Sequence, residues 1–220
     1  MSHLNVDKAR YNMIEQQVRP WEVLDRRVLD VMAKTKREEF VPEAWKNLAF
    51  ADIEIPIGAG QVMMPPKLEG RLLQVLQIKP TDRVLEIGTG SGYLTACLAQ
   101  LGESVVTVEL HPELSEQARQ KLSAAGLNNI TLRTGNAANG WDQDGPFDVV
   151  AVTGSLPEEN SKFAKLLRDS GRLFVVTGKA PVMTATLVTR NSDRDFHTEY
   201  LFETSVPPLE QVGAGEKFVF

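Results

Sequence analysis

Residues 84–93 read Val-Leu-Glu-Ile-Gly-Thr-Gly-Ser-Gly-Tyr, an apolar run that passes through three alternating glycines, Gly88, Gly90 and Gly92, into a second apolar stretch. Residues 83–87 have the apolar density of a buried strand, and residues 93–100 the composition of a buried helix. Glycine in the turn between them allows left-handed backbone angles and close approach of the chain to a ligand. The next strand, residues 104–108, delivers Glu109 about 20 residues past the turn, where a strand-end acid can accept hydrogen bonds from both ribose hydroxyls. Strand, glycine turn, helix, strand and acid in that order predict a nucleoside pocket at the carboxyl ends of parallel strands.

The same rhythm extends on both sides. Helices are expected at residues 67–77, 113–125 and 158–167, and strands at 130–134, 148–153 and 172–177. Such alternation implies right-handed βαβ crossovers, hence an α/β fold with a doubly wound, mainly parallel, Rossmann-like sheet. Residues 184–190 and 196–202 alternate apolar and polar around the turn-rich residues 191–195, so they are expected to form an antiparallel hairpin at the sheet edge. Ahead of the sheet, Leu24, Val28, Val31 and Met32 recur at helical spacing, and a weaker helical pattern over residues 9–18 stops at Pro20, which lacks an N–H. Residues 52–66, rich in Gly and Pro, read as an ordered loop or short hairpin. Residues 1–66 are thus expected to be a helical extension with a loop, packed on the core and not independent, and residues 67–220 the ligand-binding domain.

Composition narrows the function. Among 220 residues, 24 Lys+Arg against 29 Asp+Glu give a formal charge of −5, and 42% hydrophobic with 24% charged residues is ordinary for a globular chain. The single cysteine, Cys97, cannot form an internal disulfide, and His3, His111 and His197 are too scattered for a metal site. Cys97 is expected to be a small buried side chain, and Trp141 and Phe147 to be core. The N-terminus has no secretory apolar stretch and no segment has 18 uninterrupted apolar residues, so a cytoplasmic location with no membrane contact is expected. A pI near 5.3 argues against nucleic-acid binding, and Lys34, Lys36 and Arg37 read as a solvated helix surface. None of these features fixes the oligomeric state.

Glu86 decides between nucleosides. A carboxylate just before the glycines would repel a pyrophosphate at the helix N-terminus, whereas it suits a ligand carrying an ammonium and a sulfonium. That favours S-adenosylmethionine over NAD, with S-adenosylhomocysteine as product.

The segments VLEIGTGSGYLTACLA (residues 84–99), VVTVELHPEL (105–114), TGNAANGW (134–141), PFDVVAVTGS (146–155) and SGRLFVVTG (170–178) resemble the class I S-adenosylmethionine-dependent methyltransferases. With FVPEAW (40–45), ADIEIPIGAGQ (51–61) and MMPP (63–66), the chain more closely resembles the protein-L-isoaspartate O-methyltransferase family, from about residue 9 to about residue 209. The resemblance implies a protein or peptide substrate with an isomerised aspartyl carboxylate, and a role in protein repair. It further implies that Glu86, Gly88, Gly90, Gly92, Glu109, Asn136 and Ala137 hold the cofactor, that Ile57, Gly60 and Gln61 face the substrate, and that Met64 stands at the catalytic position of the family's serine. Two departures matter. The family's Thr-Ile-Ser is Val62-Met63-Met64, and a thioether cannot donate the serine's hydrogen bond, a loss of about 1–3 kcal/mol. The family's Gly-Asp-Gly is Gly135-Asn136-Ala137, where the amide oxygen of Asn136 can still accept from an adenine amino group.

Methyl transfer to a carboxylate ionised at neutral pH requires no general base, so catalysis would rest on alignment for in-line displacement and on excluding water, with the N-terminal helices and the 52–66 loop as lid. Three readings follow: an isoaspartyl carboxyl methyltransferase, a divergent paralogue with another carboxylate or small-molecule acceptor, and a cofactor-binding module without turnover. A dehydrogenase lacks support, since neither a second substrate domain nor a hydride-site histidine is evident.

Overall fold

A computed structural model describes residues 5–158, 161–192 and 195–212. Helix α1 (Val6–Met13), capped by the Asn5 side chain, runs into a π turn (Ile14–Val18) and a short 3-10 turn (Arg19–Trp21). Pro20, which offers no N–H, lies inside that 3-10 turn, so the helical segment ends just past it at Trp21. Helix α2 (Arg26–Lys34) starts where Asp25 accepts from the Arg27 N–H, and it buries the expected Val28, Val31 and Met32. A one-turn α3 (Arg37–Phe40) and a 3-10 stretch (Glu43–Leu48) follow. Residues 52–66 do contain a hairpin, β1 (Ile55–Gly58) and β2 (Gln61–Met63), whose register joins Ile55 to Met63.

The central sheet has seven strands in the order β5-β4-β3-β6-β7-β8-β9. Strands β3 (Arg83–Ile87), β4 (Ser104–Glu109), β5 (Ile130–Thr134) and β6 (Phe147–Leu156) are parallel, as is β7 (Leu167–Lys179) to β6. Strands β8 (Val182–Ser192) and β9 (Asp195–Thr204) continue it antiparallel, so the expected edge hairpin is present. Helices α5 (Tyr93–Leu101) and α6 (Pro112–Ala124) are the crossovers from β3 to β4 and from β4 to β5, and α4 (Pro66–Leu76) leads into β3. Strand β3 lies between β4 and β6, the place where strand order reverses and a cleft opens beyond the strand ends. The runs of Val, Leu and Ile in β3, β4 and β6 are buried on both faces, as central parallel strands must be.

Two expectations are corrected. Residues 158–167 form no long helix. Residues 159 and 160 lie outside the described residues, α7 spans only Ser161–Ala164, and Leu167 already opens β7, paired with Phe147. The apolar run of Phe163, Leu166 and Leu167 serves strand-edge packing, which its composition alone does not separate from a buried helix. Nor is Arg37 solvated: Lys34 and Lys36 are exposed, but Arg37 is fully buried. Cys97 and Phe147 are buried as expected, and Trp141 packs on the second core cluster while donating Nε1–H to Asp144 at 3.0 Å. The turn residues 193 and 194 lie outside the described residues. Within those described, no helix is long and apolar enough to cross a membrane, and no group of His, Cys, Asp and Glu could hold a metal.

Candidate active site

The cleft beyond β3 is built on the glycine turn. Gly88 has φ +94°, and a Cβ there would lie 2.2 Å from Thr153 Oγ1, which donates to the Ile87 and Gly88 carbonyls at 2.8 and 2.9 Å. No side chain fits at that crossing of β3 and β6. The Gly90 N–H donates to Glu109 Oε2 at 2.8 Å, and Glu109 Oε1 accepts from the His111 N–H at 3.0 Å. Glu109 thereby ties the turn to the end of β4, and each oxygen keeps further acceptor capacity. Gly92 differs in role. It caps α5 facing Ala118 and Leu122 of α6, so it serves helix packing and is not part of the cleft lining.

Glu86 is fully buried at the floor of the cleft. Its Oε2 accepts from Thr95 Oγ1 at 2.5 Å and Thr107 Oγ1 at 2.6 Å, while Oε1 has no partner. Burial pushes this carboxyl up to about 8, against the two threonine hydroxyls that pull it down. A buried acceptor atom without a partner is costly in isolation, and a cationic ligand group would supply what it lacks. The ammonium of S-adenosylmethionine fits that requirement.

Asn136 and Ala137, beyond β5, line another part of the cleft. The Asn136 amide oxygen accepts from the Ala138 N–H at 2.9 Å, and its Nδ2 donates to Gln211 Oε1 at 2.9 Å, so the side chain is already oriented from two sides. Ile57 and Gln61 of the hairpin, and Met64 just after it, also line the cleft. Gly60 does not reach the cleft: it occupies the hairpin tip at φ +72°, with open space around it.

Sequence reasoning missed two parts of the site. The first is a buried ion pair between Arg37 and Glu69 of α4, both almost inaccessible. Arg37 also donates from Nε to the Ala49 carbonyl at 2.8 Å and from Nη2 to the Met64 carbonyl at 2.7 Å, and its guanidinium lies 4.8 Å from the Tyr93 ring centroid. Burial outweighs the neighbouring guanidinium and pushes Glu69 up to about 7. Glu69 standing in line with Leu72, Leu73 and Leu76 on the apolar face of α4 was the available signal. The second is a strap after β9. Ser155 donates from Oγ to the Val206 carbonyl at 3.0 Å and from N to the Pro207 carbonyl at 2.9 Å, and its own carbonyl accepts from Leu209 N at 3.0 Å. Pro207 to Glu210 then wall the cleft.

The model of the family described as protein-L-isoaspartate(D-aspartate) O-methyltransferase matches residues 8–212. The chain belongs to the protein-L-isoaspartate O-methyltransferase family. Relatives of that name include one from Brucella anthropi, 36% identical over 206 residues, covering 93% of this chain and 94% of its own. One from Protochlamydia amoebophila is 40% identical over 166 residues, covering 76% and 79%. Among solved structures, a protein-L-isoaspartate O-methyltransferase from Plasmodium falciparum in complex with S-adenosyl-L-homocysteine superposes with a TM-score of 0.79 at 19% identity, over 94% of this chain and 99% of its own. The fold is accordingly that of the protein-L-isoaspartate O-methyltransferases, and the family match takes in the N-terminal helices, the β1–β2 hairpin and the strap along with the sheet.

Proposed function

We propose that this protein is an S-adenosylmethionine-dependent methyltransferase that esterifies the carboxylate of isoaspartyl residues in damaged proteins or peptides. The observation that carries the reading is a family match across residues 8–212, joined to a cleft lined by the glycine turn and by Glu86, one buried oxygen of which lacks a partner among the described residues. We assign the cofactor to Glu86, Gly88, Gly90, Glu109, Asn136 and Ala137, with Gly92 acting through helix packing. Ile57, Gln61 and Met64 are assigned to the acceptor side, with Gly60 allowing the hairpin tip. Residues 1–66 form the acceptor-side extension of a domain spanning 67–220, and the protein works in the cytoplasm.

The cofactor supplies a methyl group activated by a sulfonium. This chain's residues bind, orient and exclude water. Glu86 would hold the ammonium through its unpartnered oxygen, and Glu109 would hold the ribose hydroxyls with the acceptor capacity left after binding Gly90 and His111. Gly88 lets the backbone reach the ligand without a side chain between. An acceptor carboxylate has a pKa near 4 and arrives ionised, so no residue need take a proton from it. The rate then depends on how firmly the hairpin holds the acceptor oxygen in line.

Methanol release from an isoaspartyl peptide, compared with the same peptide carrying ordinary aspartate, tests the reading. Release from the first alone supports it; binding of S-adenosylmethionine without release from either overturns it. Met64→Ser restores the missing donor and should raise kcat/KM by about 5- to 150-fold.

A further inference from the structure

The Gln61 amide and the His111 ring, both in the cleft lining, converge on one carboxylate of the chain itself. Gln61, at the start of β2, donates Nε2–H to Glu210 Oε1 at 2.5 Å. His111 Nε2 lies 3.3 Å from the same oxygen without hydrogen-bonding to it. All three residues line the cleft, and the Glu210 side chain remains 45% exposed at its mouth. The strap does not need this contact to stay in place, since Ser155 fixes it through Val206, Pro207 and Leu209. The glycine turn does not need it either, because Glu109 holds Gly90 and the His111 backbone.

We propose that Glu210 is a specificity-determining residue, a resident carboxylate that competes with the acceptor's carboxylate for the Gln61 amide at the rim. The inference rests on the reading of the protein as an isoaspartyl carboxyl methyltransferase with Gln61 at the acceptor rim. The other N–H of the Gln61 amide points toward its own loop, where the Ala59 carbonyl lies 3.4 Å from Nε2. An incoming carboxylate must therefore displace Glu210 from Gln61, and two carboxylates sharing one amide repel each other. The displaced Glu210 is left facing the residues that flank the isoaspartate. An acceptor with a cationic neighbour compensates it, and an acceptor with an acidic neighbour adds a second repulsion. The rim thus selects isoaspartyl sites in basic surroundings.

The test uses three isoaspartyl peptides that differ only in a flanking Lys, Gln or Glu, with the wild-type chain, Glu210→Gln and Glu210→Ala. The expected result is a lower KM for the Lys peptide than for the Glu peptide in wild type, by roughly tenfold, shrinking to within about twofold in Glu210→Ala. The KM for the neutral peptide should fall about three- to tenfold in Glu210→Ala and less in Glu210→Gln, whose amide oxygen still accepts from Gln61. S-adenosylhomocysteine affinity by calorimetry and the thermal midpoint should not move. Turnover confined to the Glu210 variants also supports the inference. Methanol release without charge preference, a preference that survives in Glu210→Ala, or cofactor affinity that falls in step with KM overturns the inference alone. Cofactor binding with no release from any peptide by any variant overturns the underlying reading, and the inference with it.

Discussion

Glu86 meets its burial in two ways, with a proton when the cleft holds no ligand and with a cation when it does. Its buried carboxyl is pushed up to about 8 although two threonines donate to one oxygen, so near neutral pH the ligand-free protein holds a proton there. An ammonium placed against the orphaned oxygen favours the charged form and drives that proton off. Binding of S-adenosylmethionine between pH 7 and 8 should therefore release a proton, seen as a calorimetric enthalpy that depends on the buffer's ionisation enthalpy. In Glu86→Gln the dependence should vanish and affinity should fall about 10- to 150-fold. At this scale the glycines and Glu109 were legible because their constraint is local: Gly90 and Glu109 are 19 residues apart and belong to one βαβ unit. Arg37 was not. A basic residue between Lys36 and two glutamates reads as surface, and only the arrival of Glu69, 32 residues later, makes its burial possible.

Among the elements, α3 and α4 are joined by that ion pair, and Arg37 also holds the carbonyl of Met64, the residue after β2. Arg37 bridges α3, the Ala49 carbonyl, the Met64 carbonyl and α4, so Met64, just ahead of the Pro65 cap of α4, is held by a charge with no contact with water. Breaking the pair from one side leaves a buried charge without compensation. Glu69→Leu should cost about 3–5 kcal/mol in denaturant unfolding. The double variant Arg37→Met/Glu69→Leu should recover much of that stability yet raise KM for the isoaspartyl acceptor, because the Met64 carbonyl loses its donor; unchanged KM would show that the pin has no bearing on the acceptor wall. The elements themselves were largely readable from apolar periodicity. The exception, residues 158–167, has a physical cause: a short run of Phe, Leu and Lys satisfies a helix pattern, while strand pairing between Phe147 and Leu167 decides the outcome from outside the segment.

For the whole molecule, the cleft draws its walls from regions far apart in sequence, from Ile57 in the hairpin to Glu210 in the strap. A ligand held by all of them stabilises them together. Hydrogen exchange with S-adenosylhomocysteine bound should slow in β1–β2 and in residues 205–212 as well as in the glycine turn; protection confined to residues 86–109 would show that hairpin and strap do not respond to the cofactor. The mainly parallel sheet and its antiparallel edge were evident from strand and helix alternation. The strap was not, since a segment without periodicity is placed by tertiary contacts, among them those of Ser155, about fifty residues upstream.

The contact between Gln61 and Glu210 spans 149 residues. During synthesis at about 5–20 residues per second, the hairpin waits roughly 7–30 s for the strap that closes its far side. The glycine turn and Glu109 meet long before then. A nascent chain therefore owns its nucleoside cradle early and its selectivity last, and a product cut short before residue 207 would carry the signature sequence of the family without the gate that decides which acceptors are admitted.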